Sequence, residues 1–270
     1  MRVSHRPAHV ETAASGIFYL FQKNSAMAKA IHIPDHLLFD GNLPSADVLR
    51  QLETMQPAEA GLSDWQKARL GKITASRFNH VAKLKNSGQW GDTALSYLYD
   101  LMGEHLTGQP SQDFSGNRAT EWGNFYEADT LAAYTKRTGK KVKPGTFLQH
   151  PTLDWCGGTP DGLVGEQGMI EAKCPLSFKN HLRTVINRVV PDEYLPQVLG
   201  HLWLSGREWV DFVSYDPRIK GVHRLAIVRV WRKDHLTGIA MLAERVTEFH
   251  ELLLNKLAKL KVKPGKMIGV

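Results

Sequence analysis

The sequence predicts a mixed α/β fold in a single domain, on three observations. Amphipathic helical stripes recur between residues 45 and 253, short stretches of alternating apolar residues lie among them, and no internal repeat or linker interrupts the chain after residue 45. With 270 residues, 42% of them hydrophobic, the chain carries enough apolar surface for an ordinary core. The expected division is an N-terminal arm over residues 1–44, loosely ordered, followed by one domain over residues 45–270.

No apolar run approaches bilayer-spanning length, so no membrane role is expected. The formal charge is +7, but residues 1–30 hold four basic groups and one acid, leaving 30 basic against 26 acidic residues beyond them. The body is therefore only mildly basic, a weak pointer to nucleic acid. Cys156 and Cys174 are the only cysteines, too few for a disulfide scaffold or a zinc cluster, which fits a reducing cytoplasm.

The first 30 residues lack clear periodicity. Their apolar run, Ile17 to Phe21, is shorter than a signal-peptide core, although Ser25-Ala26-Met27-Ala28 has the small residues of a cleavage site and Met27 is an alternative start. From Ser45 a helical stripe follows through Val48, Leu49, Leu52 and Met55, ended by Pro57 and Gly61. Ser63 opens a second, short helix to Leu70 that sets Trp65 and Arg69 four residues apart on one face. Thr74 is placed to cap the next helix, through Phe78 and Val81, and amides at such a start attract anions. Arg69 and Ser76 flank that start, which reads either as an anion grip or as an exposed arginine beside an ordinary cap.

Asp92 caps a longer helix with Leu95, Leu98, Tyr99, Met102 and Leu106 at helical spacing, ended by the polar loop Gly108 to Gly116. The next helix, Asn117 to Arg137, has a core stripe of Trp122, Phe125, Tyr126 and Ala133. Glu127 falls on another stripe with Leu131 and Tyr134, where an acid implies either a partner such as a metal or a partly exposed edge. The basic run Lys136 to Lys143 reads as a solvated loop or a phosphate contact.

A strand is expected at Thr146 to Gln149. The stretch Trp155 to Pro175 then supplies further strands and the densest chemistry of the chain. Asp161 follows a proline, and Glu171 and Lys173 lie two apart on a strand, facing one side while Ile170, Ala172 and Cys174 face the other. The turn Gly165-Glu166-Gln167-Gly168 is able to fold the acids together. Two carboxylates and a lysine suit a hard divalent cation and attack of water on a phosphodiester, while a Glu-x-Lys pair on a solvated hairpin gives the same pattern.

Beyond Pro175 a helix turns Phe178, Leu182, Val185 and Ile186 inward and Lys179, Arg183 and Arg188 outward. Another helix follows, framed by Pro191 and Pro196, with Leu195, Val198, Leu199 and Leu202 buried and Gln197 and His201 one turn apart on a different face. Trp209 to Tyr215 and Leu225 to Trp231 alternate as two antiparallel strands. Asp234 caps a last helix through Ile239, Leu242, Val246, Phe249 and Leu253, before a lysine-rich tail.

Pro160-Asp161 with Glu171-Ala172-Lys173 resembles the PD-(D/E)XK nuclease signature. Three further segments in the right order strengthen it: DWQKARLGKITASRF (Asp64 to Phe78), ATEWGNFYEADT (Ala119 to Thr130) and YLPQVLGHLWLSG (Tyr194 to Gly206) are similar to motifs of the bacteriophage lambda exonuclease and YqaJ-type recombinase nucleases. The similarity runs from about Ser63 through Tyr215-Asp216-Pro217 to the last helix.

The resemblance implies a restriction-endonuclease-like core, a central mixed sheet flanked by helices. It implies a processive 5′-to-3′ exonuclease that digests one strand of double-stranded DNA from its ends to 5′-mononucleotides, as a homotrimer, in homologous recombination with a single-strand annealing protein, in a bacterial or prophage setting. It assigns Asp161, Glu171 and the Ala172 backbone carbonyl as ligands of Mg2+, two ions with Mn2+ as substitute, and Lys173 as the catalytic lysine. Glu127 matches the acid of the second motif, Gln197 the glutamine near the site, and Arg69 with Ser76 the pocket for the 5′-phosphate. Thr159 stands where the family has serine, Ala172 where leucine is usual, and no motif aligns between Thr107 and Ala119. An endonuclease with the same core, or a DNA-end-binding module without catalysis, are the alternative readings.

Overall fold

The computed structural model describes residues 62–111 and 118–261 and, upstream of them, three strands, β1 (His9–Ala13), β2 (Ile17–Phe21) and β3 (Lys29–His32). The chain divides into two compact units, Met1–Gly61 and Leu62–Val270. In the first, β2 pairs antiparallel with both neighbours, His9 opposite Phe21 and Ile17 opposite His32. The sequence reading has a loose arm here, within which the structure describes these three strands. The helix expected from Ser45 to Met55, the small-residue stretch Ser25 to Ala28 and the lysine-rich tail lie outside the described residues.

The second unit begins with α1 (Asp64–Arg69), β4 (Ile73–Thr74), a 3-10 turn over Ala75–Arg77 and α2 (Phe78–Val81). Then come α3 (Asp92–Thr107), α4 (Arg118–Thr138), β5 (Lys143–Pro144), β6 (Leu148–Gln149), β7 (Cys156–Gly158), β8 (Gly162–Val164) and β9 (Gly168–Lys173). The chain closes with α5 (Phe178–Asn187), α6 (Leu195–Ser205), β10 (Trp209–Tyr215), β11 (Leu225–Trp231) and α7 (Leu236–Lys259).

The larger sheet runs β11-β10-β9-β8-β5, with β9 and β10 parallel and the other pairs antiparallel, so it is mixed as expected. A smaller sheet, β4-β7-β6, joins β4 parallel to β7. Strand alternation divides the core between the two faces of the large sheet. Met169, Val210 and Phe212 meet α2, α3, α6 and α7 through Phe78, Leu98, Val198, Leu202, Val246 and Phe249. Ile170, Cys174, Val213 and Tyr215 meet α4 through Tyr134, Trp122, Tyr126 and Leu131. Both cysteines are buried and free. Among the described residues no helix is long and apolar enough to cross a membrane.

The β10-β11 pair and α7 match the sequence reading closely, with Ile239, Leu242, Val246, Phe249 and Leu253 all buried. Helices that turn polar groups inward do not. On α3, Tyr97, Leu101 and Glu104 are buried while Tyr99 and Leu106 are exposed, because the Tyr97 hydroxyl accepts the Thr74 amide and Glu104 accepts the Gly71 amide. On α5, His181 and Thr184 face the core and Phe178 and Ile186 face outward. His181 bonds Ser214 on β10 and the carbonyl of His223, which satisfies both ring nitrogens inside. Phe125 of α4 is also exposed rather than core. Gly91 rather than Asp92 caps α3, and His235 rather than Asp234 occupies the cap of α7.

Candidate active site

The chain leaves the small sheet at β7, crosses Thr159-Pro160, and enters the large sheet at Asp161. The Asp161 amide donates to the Ile170 carbonyl, so the acid sits opposite β9 as the first step of the β8-β9 hairpin. Gly165, at φ +57, makes the tight return that this hairpin needs. The Asp161 carboxylate accepts the Ala172 amide at 2.6 Å. The expected convergence of Asp161 with the Glu171-Ala172-Lys173 run is therefore built from backbone pairing.

Glu171 points from β9 towards α6 and is fully buried, which removes the solvated-hairpin alternative. Its Oε1 lies 2.6 Å from Lys173 Nζ and its Oε2 2.9 Å from His201 Nε2. Lys173 keeps 26% of its side chain exposed and passes over the Tyr194 ring at 5.5 Å.

These neighbours set the charges. Burial, and then the Glu171 charge, push Asp161 well above the usual aspartate range, and Lys173 with the Ala172 amide only partly oppose them. Burial alone would raise Glu171 too, but the Lys173 charge and the His201 hydrogen bond outweigh it and hold this acid below its ordinary value. Burial penalises the Lys173 ammonium, yet Glu171 and then Asp161 more than compensate and keep it protonated beyond the usual lysine range.

Glu127 is exposed on α4 and lines a cleft of about 1070 Å³ together with Asp161, Glu171, Lys173, Gln197, Arg69 and Ser76. An adjoining hollow brings Ala172 and Tyr194 beside Asp161, Glu127 and Lys173. Every expected site residue thus faces one cleft or the hollow next to it. Of the basic run Lys136 to Lys143, Lys140 lies over the Trp209 ring at 4.2 Å and Arg137 donates to the Val222 carbonyl.

The Arg69 end of the cleft is built separately. Ser63 and Gln66 form a capping box that starts α1, and the helix then sets the Arg69 guanidinium 4.5 Å over the Trp65 ring. Arg69 Nη2 donates to Thr74 Oγ1 at 3.2 Å and Ser76 Oγ at 2.9 Å, while its buried Nε has no partner. Burial lowers the Arg69 pKa. Thr74 therefore makes no side-chain cap to the following turn; it helps hold the guanidinium instead. An arginine whose guanidinium plane is fixed this way, on the wall of the cleft, suits a phosphate oxygen.

Among the described residues no three His, Cys, Asp or Glu side chains form a ready-made metal cluster. The donor set nonetheless fits a hard divalent cation. Asp161, Glu171 and Glu127 carry carboxylate oxygens and Ala172 a carbonyl, and the raised Asp161 carboxyl reflects burial first and then repulsion from Glu171, both of which a bound cation would offset.

Two residues that bond expected site residues, Thr74 to Arg69 and His201 to Glu171, have no such role in the sequence reading. His201 was visible one turn after Gln197, but nothing local showed that it reaches a carboxylate 30 positions away.

Residues 64–208 match the YqaJ-like viral recombinase domain. The chain belongs to that family. The YqaJ-like stretch spans every expected site residue, from Arg69 to Gln197. Among solved structures, the alkaline exonuclease LHK-Exo from Laribacter hongkongensis is 34% identical, over 73% of this chain and 95% of that one, with a TM-score of 0.65. The same enzyme in complex with dAMP matches with the same values. A phage-related exonuclease from Haemophilus somnus 129PT, 19% identical over 69% of this chain and 96% of that one, shares the fold with a TM-score of 0.52. No curated protein matches the chain.

Proposed function

We propose that this YqaJ-like protein is a Mg2+-dependent exonuclease that digests one strand of duplex DNA in the 5′-to-3′ direction, releasing 5′-mononucleotides during phage-type recombination. The observation that carries the reading is that the Arg69 guanidinium and the Asp161, Glu171 and Lys173 cluster line a single cleft. A terminal phosphate gripped at one end leaves the first phosphodiester to be presented at the other. That LHK-Exo is an alkaline exonuclease with a structure in complex with dAMP, a 5′-mononucleotide, supports the reaction class and the product.

Asp161, Glu171 and the Ala172 carbonyl would hold Mg2+, with Glu127 completing the set and Mn2+ as substitute. The bound cation supplies Lewis-acid charge and lowers the pKa of water, the chemistry that phosphodiester hydrolysis needs. Lys173, 2.6 Å from Glu171, orients or deprotonates the attacking water and steadies charge growing on phosphorus. Gln197 lines the cleft beside Lys173 and offers its amide to the same water or to a phosphate oxygen. Arg69 would bind the terminal 5′-phosphate, with Thr74 and Ser76 fixing its guanidinium plane. Phosphate contacts carry no sequence information, so the digestion is indifferent to sequence. Assembly as a homotrimer and action with a single-strand annealing protein complete the proposal, with residues 1–44 as an arm outside the nuclease domain.

The test compares linear 5′-phosphorylated, linear 5′-hydroxyl and closed circular duplexes with and without Mg2+. Mononucleotide release from linear ends, abolished in Asp161→Asn, is expected. Arg69→Ala slows the phosphorylated substrate more than the hydroxyl one. Nicking of closed circles would instead reveal an endonuclease, and end binding without digestion a scaffold.

A further inference from the structure

We infer that His201 is a positioning residue that fixes the Glu171 carboxylate, by holding Oε2 on the α6 side so that Oε1 is presented to Lys173 on the cleft wall. The inference rests on the reading of Glu171 as a metal ligand given above.

Glu171 and His201 are both fully buried, and His201 Nε2 lies 2.9 Å from Glu171 Oε2. An ionised carboxylate only accepts, so Nε2 carries the hydrogen and donates it. The other ring nitrogen, Nδ1, is buried with no hydrogen-bond partner. The imidazole is thus spent on one contact, and that contact is to an acid of the site. Glu171 lines the cleft and His201 does not, so the imidazole acts through the carboxylate rather than on DNA.

The position explains the residue type. His201 lies on α6 between β9 and β7, and a Cβ added to Gly158 would sit 3.4 Å from its Cε1. The ring therefore wedges between the strand that carries Glu171 and the strand that leads to Asp161. A serine or asparagine on this helix turn is too short to span to Oε2. A glutamine carries its amide nitrogen at the reach of Nε2, with one more free torsion. A carboxylate buried without the His201 donor would rotate towards other donors or take up a proton, and in either case Oε1 would no longer be held against Lys173.

The experiment measures Mn2+ binding to full-length protein without DNA by calorimetry, alongside the Mg2+ concentration for half-maximal digestion and KM for a 5′-phosphorylated duplex. In His201→Leu, Mn2+ affinity and the Mg2+ midpoint are expected to weaken together by about 10- to 100-fold, with KM for DNA changed less than about twofold. His201→Gln restores most of the loss and His201→Asn does not. If His201→Leu does not fold, the Gln and Asn variants decide, and equal Mn2+ affinity in those two overturns the inference. So does a His201→Leu protein that binds Mn2+ as the wild type does. Failure of the wild type itself to bind Mn2+ or digest DNA with Mg2+ would overturn the nuclease reading instead, a result distinct from either.

Discussion

Gly145 directly follows β5, and its alpha carbon abuts the peptide that delivers Asp161. A Cβ built there would lie 1.6 Å from the Pro160 carbonyl oxygen and 2.7 Å from its carbon. Both obstacles are backbone, so no side chain is able to swing aside. The contact must open from 1.6 Å to 3.0 Å or beyond, moving the end of β5 or the Pro160-Asp161 peptide by about 1.4 Å. The Asp161 carboxylate is anchored to the Ala172 amide at 2.6 Å, and a movement of that size breaks the anchor. Misplacement of a reacting group by about 1 Å costs about 100-fold in rate, so Gly145→Ala is expected to cut kcat by about that factor. Overpacking costs about 1–3 kcal/mol, which for a protein this size lowers Tm by about 4–8 °C at the middle of that range. Gly103, inside α3 with open space around its alpha carbon, is the control: Gly103→Ala should hold or slightly raise Tm. Thermal unfolding and turnover on a 5′-phosphorylated duplex measure both quantities. A Gly145→Ala protein with kcat within about twofold of wild type and an unchanged Tm would refute the reasoning from close approach.

Other expectations follow from the sheet and the last helix. Asp211 is 1% exposed, accepts two bonds from Arg229 at 2.7 Å each, and takes a third from the Tyr134 hydroxyl at 2.7 Å. Asp211→Ala strands both partners and should cost about 3 kcal/mol, read as a lower denaturant midpoint; a cost below about 1 kcal/mol would show that the pair contributes little. His250 stacks on Trp155 at 3.9 Å, and burial holds its pKa down to about 4 from 6.5. The unfolded chain therefore accepts a proton that the folded one resists, so stability is intact above pH 6.5 and drains away as pH falls towards 4. His250→Phe keeps the stack and removes that linkage, and its Tm should fall less than the wild type's across this window; parallel Tm curves would refute it.

What was legible in the sequence had a local signature. The large sheet was legible because β9, β10 and β11 are short runs rich in apolar and β-branched residues that end at turns, and α7 because its stripe is uninterrupted. Asp161, Glu171 and Lys173 were legible for a related reason: a hairpin converts short sequence spacing into proximity. The polar inward faces were not. His181 is satisfied by Ser214, 33 positions on, and Glu104 by the Gly71 amide, 33 positions back, so neither has a local signature of burial. Their apolar neighbours Phe178, Ile186 and Leu106 were assigned inward in their place. The family came from four motifs in order, whereas His201 answers to Glu171 through the fold alone.

The small sheet has a consequence for geometry. Thr74, which holds Arg69, ends β4, and β4 is hydrogen-bonded in parallel register to β7 with Thr74 opposite Gly157. Four residues further along β7's own chain comes Asp161. On the proposed reading, the grip and the acid are thus two marks on one ruler, and the backbone pairing of β4 with β7 fixes the first mark against the strand that leads to the second. A phosphate seated at the first mark would have its stride set at the second by strand register. Changing that stride would require an insertion between Gly158 and Asp161, not a substitution in either cluster.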